Sequence, residues 1–201
     1  MKAMVSPTPT SLLQPDAAAE LVLSFVNTRP NKLQPEQFDH LQALQQWLVQ
    51  HQLIGSSDQI TETDLEEAKH LRSALVVLLL SHLNDAEMEA SELQQATESL
   101  QRLTRNHPLV TLISSGDVQL VPHNQGGRAA LGRILAAITE LVLSGRWNRM
   151  KACRNDTCQT AFYDRTRNGA GTFCSQNPCG AMMAMRAYRK RKQEMQQDPG
   201  S

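Results

Sequence analysis

Apolar residues recur every three or four positions over most of this chain, the period of helices with one buried face. The first such run, Ala17-Ala18-Ala19-Glu20-Leu21-Val22-Leu23-Ser24-Phe25-Val26, predicts a helix starting at Pro15 or Asp16. It ends at Asn27-Thr28-Arg29-Pro30, because a proline disfavours helical conformation in the residue before it. Phe38, Leu41, Leu44, Trp47 and Leu48 predict a second helix within Pro35–Leu53, stopped by Gly55. Thr61, or Thr63 with Glu66 three residues on, is the expected cap of a long helix through Leu83. Alanine, leucine and glutamate favour another from Asp85 to Arg105. After Pro108 the pattern switches to β-branched runs, Leu109–Ile113 and Val118–Val121, on either side of Ser114-Ser115-Gly116-Asp117, which reads as a β-hairpin. Gly126-Gly127 breaks it, and a broad apolar face from Arg128 to Leu143 predicts a further helix with Gly145 as its stop.

Beyond Gly145 the long period disappears. Met150–Cys153 and Phe162-Tyr163 read as short strands. Asn177 as N-cap and Pro178 in the first turn predict a last helix through Tyr188 to about Met195. Met182, Met183 and Met185 are expected in the core of this small segment, and Trp147 as a packing anchor between it and the rest. The fold class is therefore mostly α with one small β-hairpin. The expected organisation is a flexible tail over 1–13, a helical body over 14–145, a compact module over 146–195 and a second tail over 196–201.

All four cysteines lie in that module, as Cys153, Cys158, Cys174 and Cys179, in the pattern C-x4-C, fifteen residues, C-x4-C. Two matched pairs that face each other suit one tetrahedral ion, and four thiolates favour zinc in a closed structural shell. Two disulfides and an iron–sulfur cluster are the alternatives. The N-terminus has no long apolar core of the signal-peptide kind and no apolar run is long enough to span a bilayer, so the expectation is a cytoplasmic, soluble protein without a membrane partner. The six histidines, His40, His51, His70, His82, His107 and His123, all precede the cysteines. With no imidazole beside a closed shell, no phosphate loop and no nucleophile–base pair, the sequence does not read as an enzyme.

The chain has 20 basic and 20 acidic residues, but they are segregated. Arg146–Lys192 carries eleven Lys and Arg against two acids, a formal +9, whereas Met1–Gly145 carries −7. A basic segment built on a metal scaffold points to a polyanion, and a nucleic acid is the expected partner. The candidate contacts are Arg165 and Arg167 beside Tyr163, and Arg186, Arg189, Lys190, Arg191 and Lys192 around the last helix. Asp164 has a second reading, as a group that pairs with a neighbouring arginine and orders the loop. Asn27, Thr28 and Arg29 bring an amide, a hydroxyl and a guanidinium together, either as a site for a small acidic effector or as a helix stop satisfied by its own backbone.

Two blocks resemble a known bacterial pairing. Leu21-Val22-Leu23-Ser24-Phe25-Val26-Asn27-Thr28 resembles the entry motif of the ABATE domain. Cys153-x4-Cys158, Phe162-Tyr163-Asp164-x-Thr166-Arg167-Asn168, Phe173-Cys174-Ser175, Cys179-Gly180 and Ala187-Tyr188-Arg189-x-Arg191 resemble the CGNR zinc finger. The resemblance implies a stress-responsive transcription regulator, with a helical body followed by a treble-clef-like, four-cysteine zinc finger that binds DNA and holds one structural zinc per chain. A homodimer is compatible with it. The chain departs from the signature where Ala181-Met182 replaces Asn-Arg, and where Asn168-Gly169-Ala170-Gly171-Thr172 replaces a basic, aromatic approach to Cys174. The alternative function is therefore a zinc-stabilised protein- or RNA-interaction module that has lost sequence-specific DNA reading.

Overall fold

The computed structural model describes residues 15–32, 34–83 and 88–197. Six helices and two hairpins are described: α1 (Pro15–Val26), α2 (Leu41–Gln50), α3 (Glu62–Ser81), α4 (Ala90–Asn106), β1 (Leu109–Ser114), β2 (Asp117–Pro122), α5 (Gly127–Leu143), β3 (Met150–Ala152), β4 (Ala161–Tyr163) and α6 (Ala181–Gln197). The expected tail over 1–13 lies outside the described residues, as do residues 198–201, and α6 runs two residues past the expected end at Met195. No described helix is long and apolar enough to cross a membrane.

The helix boundaries follow local chemistry. Thr61 caps α3, accepting from Asp64 N–H while the Asp64 carboxylate accepts from Thr61 N–H at 2.8 Å, so the reciprocal partner is Asp64 rather than Glu66. The second helix is shorter than expected. The Glu36 carboxylate accepts from the Phe38 N–H at 2.7 Å and holds the segment after Pro35 in a turn, and α2 begins only at Leu41. Phe38 is still fully buried. The start expected for α4 at Asp85 lies outside the described residues, and its described helix begins at Ala90.

The core is one continuous cluster built around α1, whose Ala18, Ala19, Leu21, Val22, Phe25 and Val26 are all buried. Helix α1 packs against α5 and α3; α4 lies on the outside of α3, burying only Ala96 and Leu103 among its residues. Phe25, Phe38 and Trp47 form an aromatic cluster with centroids 5.7–6.2 Å apart. Beside it Arg72, 2 % exposed, forks onto Glu36, donates to the Thr28 hydroxyl at 3.0 Å and lies over the Phe38 ring. The β1–β2 hairpin turns through Ser115-Gly116 and lies on α5 through β2, which leaves Leu112, Ile113 and Val118 exposed.

The second hairpin, β3–β4, does not stand apart. Met150, Ala152 and Ala161 are buried in the same cluster as α1, α3 and α5, and the hairpin packs on α3 and α1. Trp147 is the half-buried anchor at this junction, edge-on to the His82 ring with centroids 5.3 Å apart. His82 Nδ1 donates to the Met150 carbonyl at 2.7 Å, and burial holds the imidazole below its ordinary pKa, so the ring sits here as the neutral Nδ1–H tautomer.

Arg72 is buried while Glu36 keeps part of its side chain in water, so losing the guanidinium removes charge-assisted hydrogen bonds rather than stranding a buried carboxylate. Arg72→Met should therefore lower unfolding stability by about 1.5–3 kcal/mol, read from urea unfolding. A loss below about 1 kcal/mol would mean that the Arg72–Glu36–Thr28 network is incidental.

Candidate metal centre and its surroundings

Cys153 follows β3 directly, and the chain turns back through Asn155 to place Cys158 beside it. The N–H groups of Cys158 and Gln159 both donate to the Asn155 carbonyl, at 2.8 and 3.0 Å, and Cys153 N–H donates to Thr160 O at 2.9 Å. Gln159 carries the left-handed conformation that closes this turn, with φ +47°. The second pair approaches from a loop tied to the first by Arg154 N–H donating to Thr172 O. Cys174 precedes, and Cys179 lies within, the turn Gln176–Gly180 that leads into α6. Asn177 does not cap that helix. Its backbone is extended (φ −129°, ψ 116°), the Asn177–Pro178 peptide is cis, and α6 starts at Ala181, so Cys179 is set just before the helix rather than in its first turn.

The four Sγ atoms lie within 4.8 Å of one another. Cys158 to Cys174 is 3.7 Å and Cys174 to Cys179 is 3.8 Å. A tetrahedron with Zn–S bonds of about 2.3 Å has edges of about 3.8 Å. Disulfide sulfurs sit about 2.05 Å apart, and all four cysteines are free. The donor set fits one structural zinc held by Cys153, Cys158, Cys174 and Cys179. Zinc supplies the positive charge that four gathered thiolates require. Without it, burial pushes the Cys153 thiol up to about 11 and raises Cys174 as well, with neighbouring sulfurs adding to both shifts. For Cys158, burial is outweighed by the Thr160 hydroxyl 3.1 Å from its sulfur and by further hydrogen bonds, and its pKa is lowered.

Several residues that support this centre were not singled out from the sequence. Asn155 is buried; its amide donates to Cys179 Sγ at 3.7 Å, and its oxygen accepts from the Thr157 hydroxyl at 3.0 Å. Lys151 is buried with Asp164, Nζ to Oδ2 2.8 Å, and also donates to the carbonyls of Gly169 and Gly171. Asp164 does order its loop, but its charged partner is this lysine rather than a neighbouring arginine. Its other oxygen accepts from the Thr166 N–H and hydroxyl. Burial alone would raise the Asp164 pKa; these bonds, Lys151 foremost, hold it well below the usual carboxylate range. A Cβ on Gly171 would come within 2.7 Å of that carboxylate, so this position needs glycine. Arg149 closes the loop from outside by donating to the carbonyls of Asp164, Thr166 and Arg167. Arg165 and Arg167 are left exposed on a braced loop.

The polar groups of Asn27, Thr28 and Arg29 are engaged by the protein itself. Asn27 Nδ2 donates to Ala161 O at 3.0 Å and its Oδ1 accepts from Ala161 N–H at 2.7 Å, so one side-chain amide pairs with strand β4 as a neighbouring strand would. Thr28 donates to Phe25 O, and Arg29 donates to Gln159 Oε1 at 2.7 Å. The adjoining cavity measures only about 10 Å³, too small for an effector. These residues fasten the body to the first cysteine turn. A larger opening, about 480 Å³, lies at the same junction, lined by residues including Ser81, His82, Asn148, Arg149 and Asn168.

The cations of α6 stand in solvent. Arg186, Arg189, Lys190, Arg191 and Lys192 are all exposed, and Arg186 reaches Asp156 on the first cysteine turn at 3.1 Å. The methionines do not form a core: Met182 and Met185 are exposed and Met183 is half-buried. The module's apolar side is taken instead by Met150, Ala152 and Ala161, which are buried against the body.

Asn155→Ala should weaken zinc affinity about 10- to 100-fold, measured by chelator competition. Asn27→Ala leaves two buried backbone groups of Ala161 unpaired and should cost about 2–4 kcal/mol in thermal or urea unfolding, with Asn27→Asp falling between it and the parent. The Asp164 bonds stabilise the fold fully above the unfolded carboxylate pKa of about 3.9, and that stability is lost as pH falls through the lower folded value. Amide exchange in the 164–171 loop should therefore stay slow down to about pH 4 and quicken only in stronger acid.

The match to known proteins divides the chain where the charge does. Residues 149–192 match the CGNR zinc finger. Residues 19–145 match the ABATE model, described as "Putative stress-induced transcription regulator". No curated protein matches the chain. The ABATE match spans well over half of the sequence and the finger follows in the expected order, so the chain belongs to the ABATE family, with a C-terminal CGNR zinc finger.

Proposed function

We propose that this regulator binds duplex DNA through its finger, and that the body holds the finger in a defined pose. One observation carries the reading. Helix α6 leaves the zinc centre with five exposed cations at 186, 189, 190, 191 and 192, and the chain's formal positive charge is concentrated between Arg146 and Lys192. A zinc-anchored start gives such a helix a fixed direction, and Arg186–Asp156 ties it to the first cysteine turn. Arg165 and Arg167 add two guanidinium groups on a loop braced by Lys151 and Asp164. In this reading the finger is a treble-clef variant in which the knuckle sits at the tip of β3–β4 and α6 carries the phosphate contacts.

Asn27, Thr28 and Arg29, bonded within the protein, are a poor place for an effector. The polar opening at the junction is the better candidate, because a ligand there would touch α3, the stretch after α5 and the 168–169 loop together. It would act by preferring one arrangement of these elements over another.

The test is a titration of the zinc-loaded full chain against duplex DNA at several salt concentrations. Contacts to five phosphates would make affinity fall about twentyfold for each doubling of salt. Alanine at Arg189, Lys190, Arg191 and Lys192 should weaken binding to every sequence and flatten the slope by about 3 to 4. Binding that is absent at low salt, with hairpin RNA or an acidic protein bound instead, would replace this reading with the interaction-module alternative.

A further inference from the structure

Every described side chain of α6 from Ala181 to Gln193 is exposed except Met183. A helix of this length has little tertiary packing to sustain it, and isolated helices of about 12–15 residues are marginal in water. It is also not uniformly polar. Met182, Met185 and Tyr188, spaced by three, follow a slanted stripe on one side and are 38 %, 53 % and 57 % exposed. Arg186 bonds Asp156 at 3.1 Å and lies against Met183 Sδ, so that flank turns toward the cysteine turn and the stripe turns away from it. Arg189 and Lys192 follow Met185 and Tyr188 at i+4, so both cations border the apolar stripe on the same flank. Met182 stands where the finger signature carries its arginine, so a cationic group is replaced by an apolar one at the exposed start of the helix.

We propose that this stripe is the base-reading surface of the finger, entering the DNA major groove and recognising thymine by its C5-methyl group. The inference rests on the DNA-binding reading above. The major groove accepts an α-helix, and each A·T pair presents there one methyl group that G·C pairs lack. Thioether and phenol side chains have no strong donor fork for guanine, but they bury a methyl well. Methionine is flexible enough to follow it. The bordering Arg189 and Lys192 suit the phosphates along one wall of the groove, which is the charge complement that selects a nucleic acid rather than an apolar peptide groove.

The experiment compares three duplexes of equal length at one salt concentration: alternating dA-dT, the same sequence with dU for every dT, and alternating dG-dC. Burying one methyl group is worth about a factor of four. The zinc-loaded full chain should bind the dT duplex at least about fourfold more tightly than the dU duplex, and the dG-dC duplex no better than the dU duplex. Because the residues are exposed, their replacement should leave the fold intact. The Met182→Ser/Met185→Ser double variant should bind all three duplexes alike with its salt dependence unchanged, and Met182→Leu/Met185→Leu should keep the dT preference. Equal affinity for dT and dU duplexes overturns the inference and leaves phosphate-based binding standing. A dT preference that survives in the Ser variant also overturns it, because the preference then comes from DNA shape. Failure to bind any duplex removes the DNA-binding reading itself.

Discussion

The arrangement of this protein rests on the burial of one short hairpin. Strands β3 and β4 are three residues each, too small to hold their own apolar side, and they place Met150, Ala152 and Ala161 in the cluster formed by α1, α3 and α5. The position of everything after Gly145 follows from that. The first cysteine turn sits at the hairpin tip, the second pair must face it to complete the sulfur tetrahedron, and α6 starts from the last sulfur. Hydrophobic burial sets where the finger is, and coordination sets where α6 starts. The Asn27–Ala161 amide pairing adds direction, because it satisfies the outer edge of β4.

The helical pattern was legible because amphipathic period and cap chemistry are local properties. Helices α1, α3 and α5 fall close to their expected bounds for that reason. The cysteine spacing was equally direct, since paired ligands in tight turns are a constraint along the chain. What the sequence hid was non-local. The Glu36 carboxylate that turns the chain ahead of α2 is also held by Arg72, 36 residues away, and Lys151 looks like one more cation of a basic segment until the fold buries it against Asp164. Counting it among the exposed cations would overstate the surface charge of the finger.

The Asn27-Thr28-Arg29 triplet shows how the same residue types support two readings. An amide, a hydroxyl and a guanidinium in a row at the end of a buried helix suit a ligand site and suit a clasp equally well. Only the partners decide, and those of Asn27 and Arg29 are 130 or more residues away in sequence. The methionines of α6 failed as a core prediction for a related reason: the module's apolar requirement is met by the body, so its helix is released from packing.

The clasp also bears on inheritance. The family boundary falls near residue 146, yet Asn27, Arg29, Gln159 and Ala161 form one contact across it. A finger moved by recombination onto a foreign body would arrive with an apolar face and an open strand edge, and would gather its kind by edge pairing. A body and a finger that fit in this way should travel together. A change at Arg29 is compensated most readily at Gln159, so the two positions should drift together through the lineage even though one belongs to the helical body and the other to the metal turn.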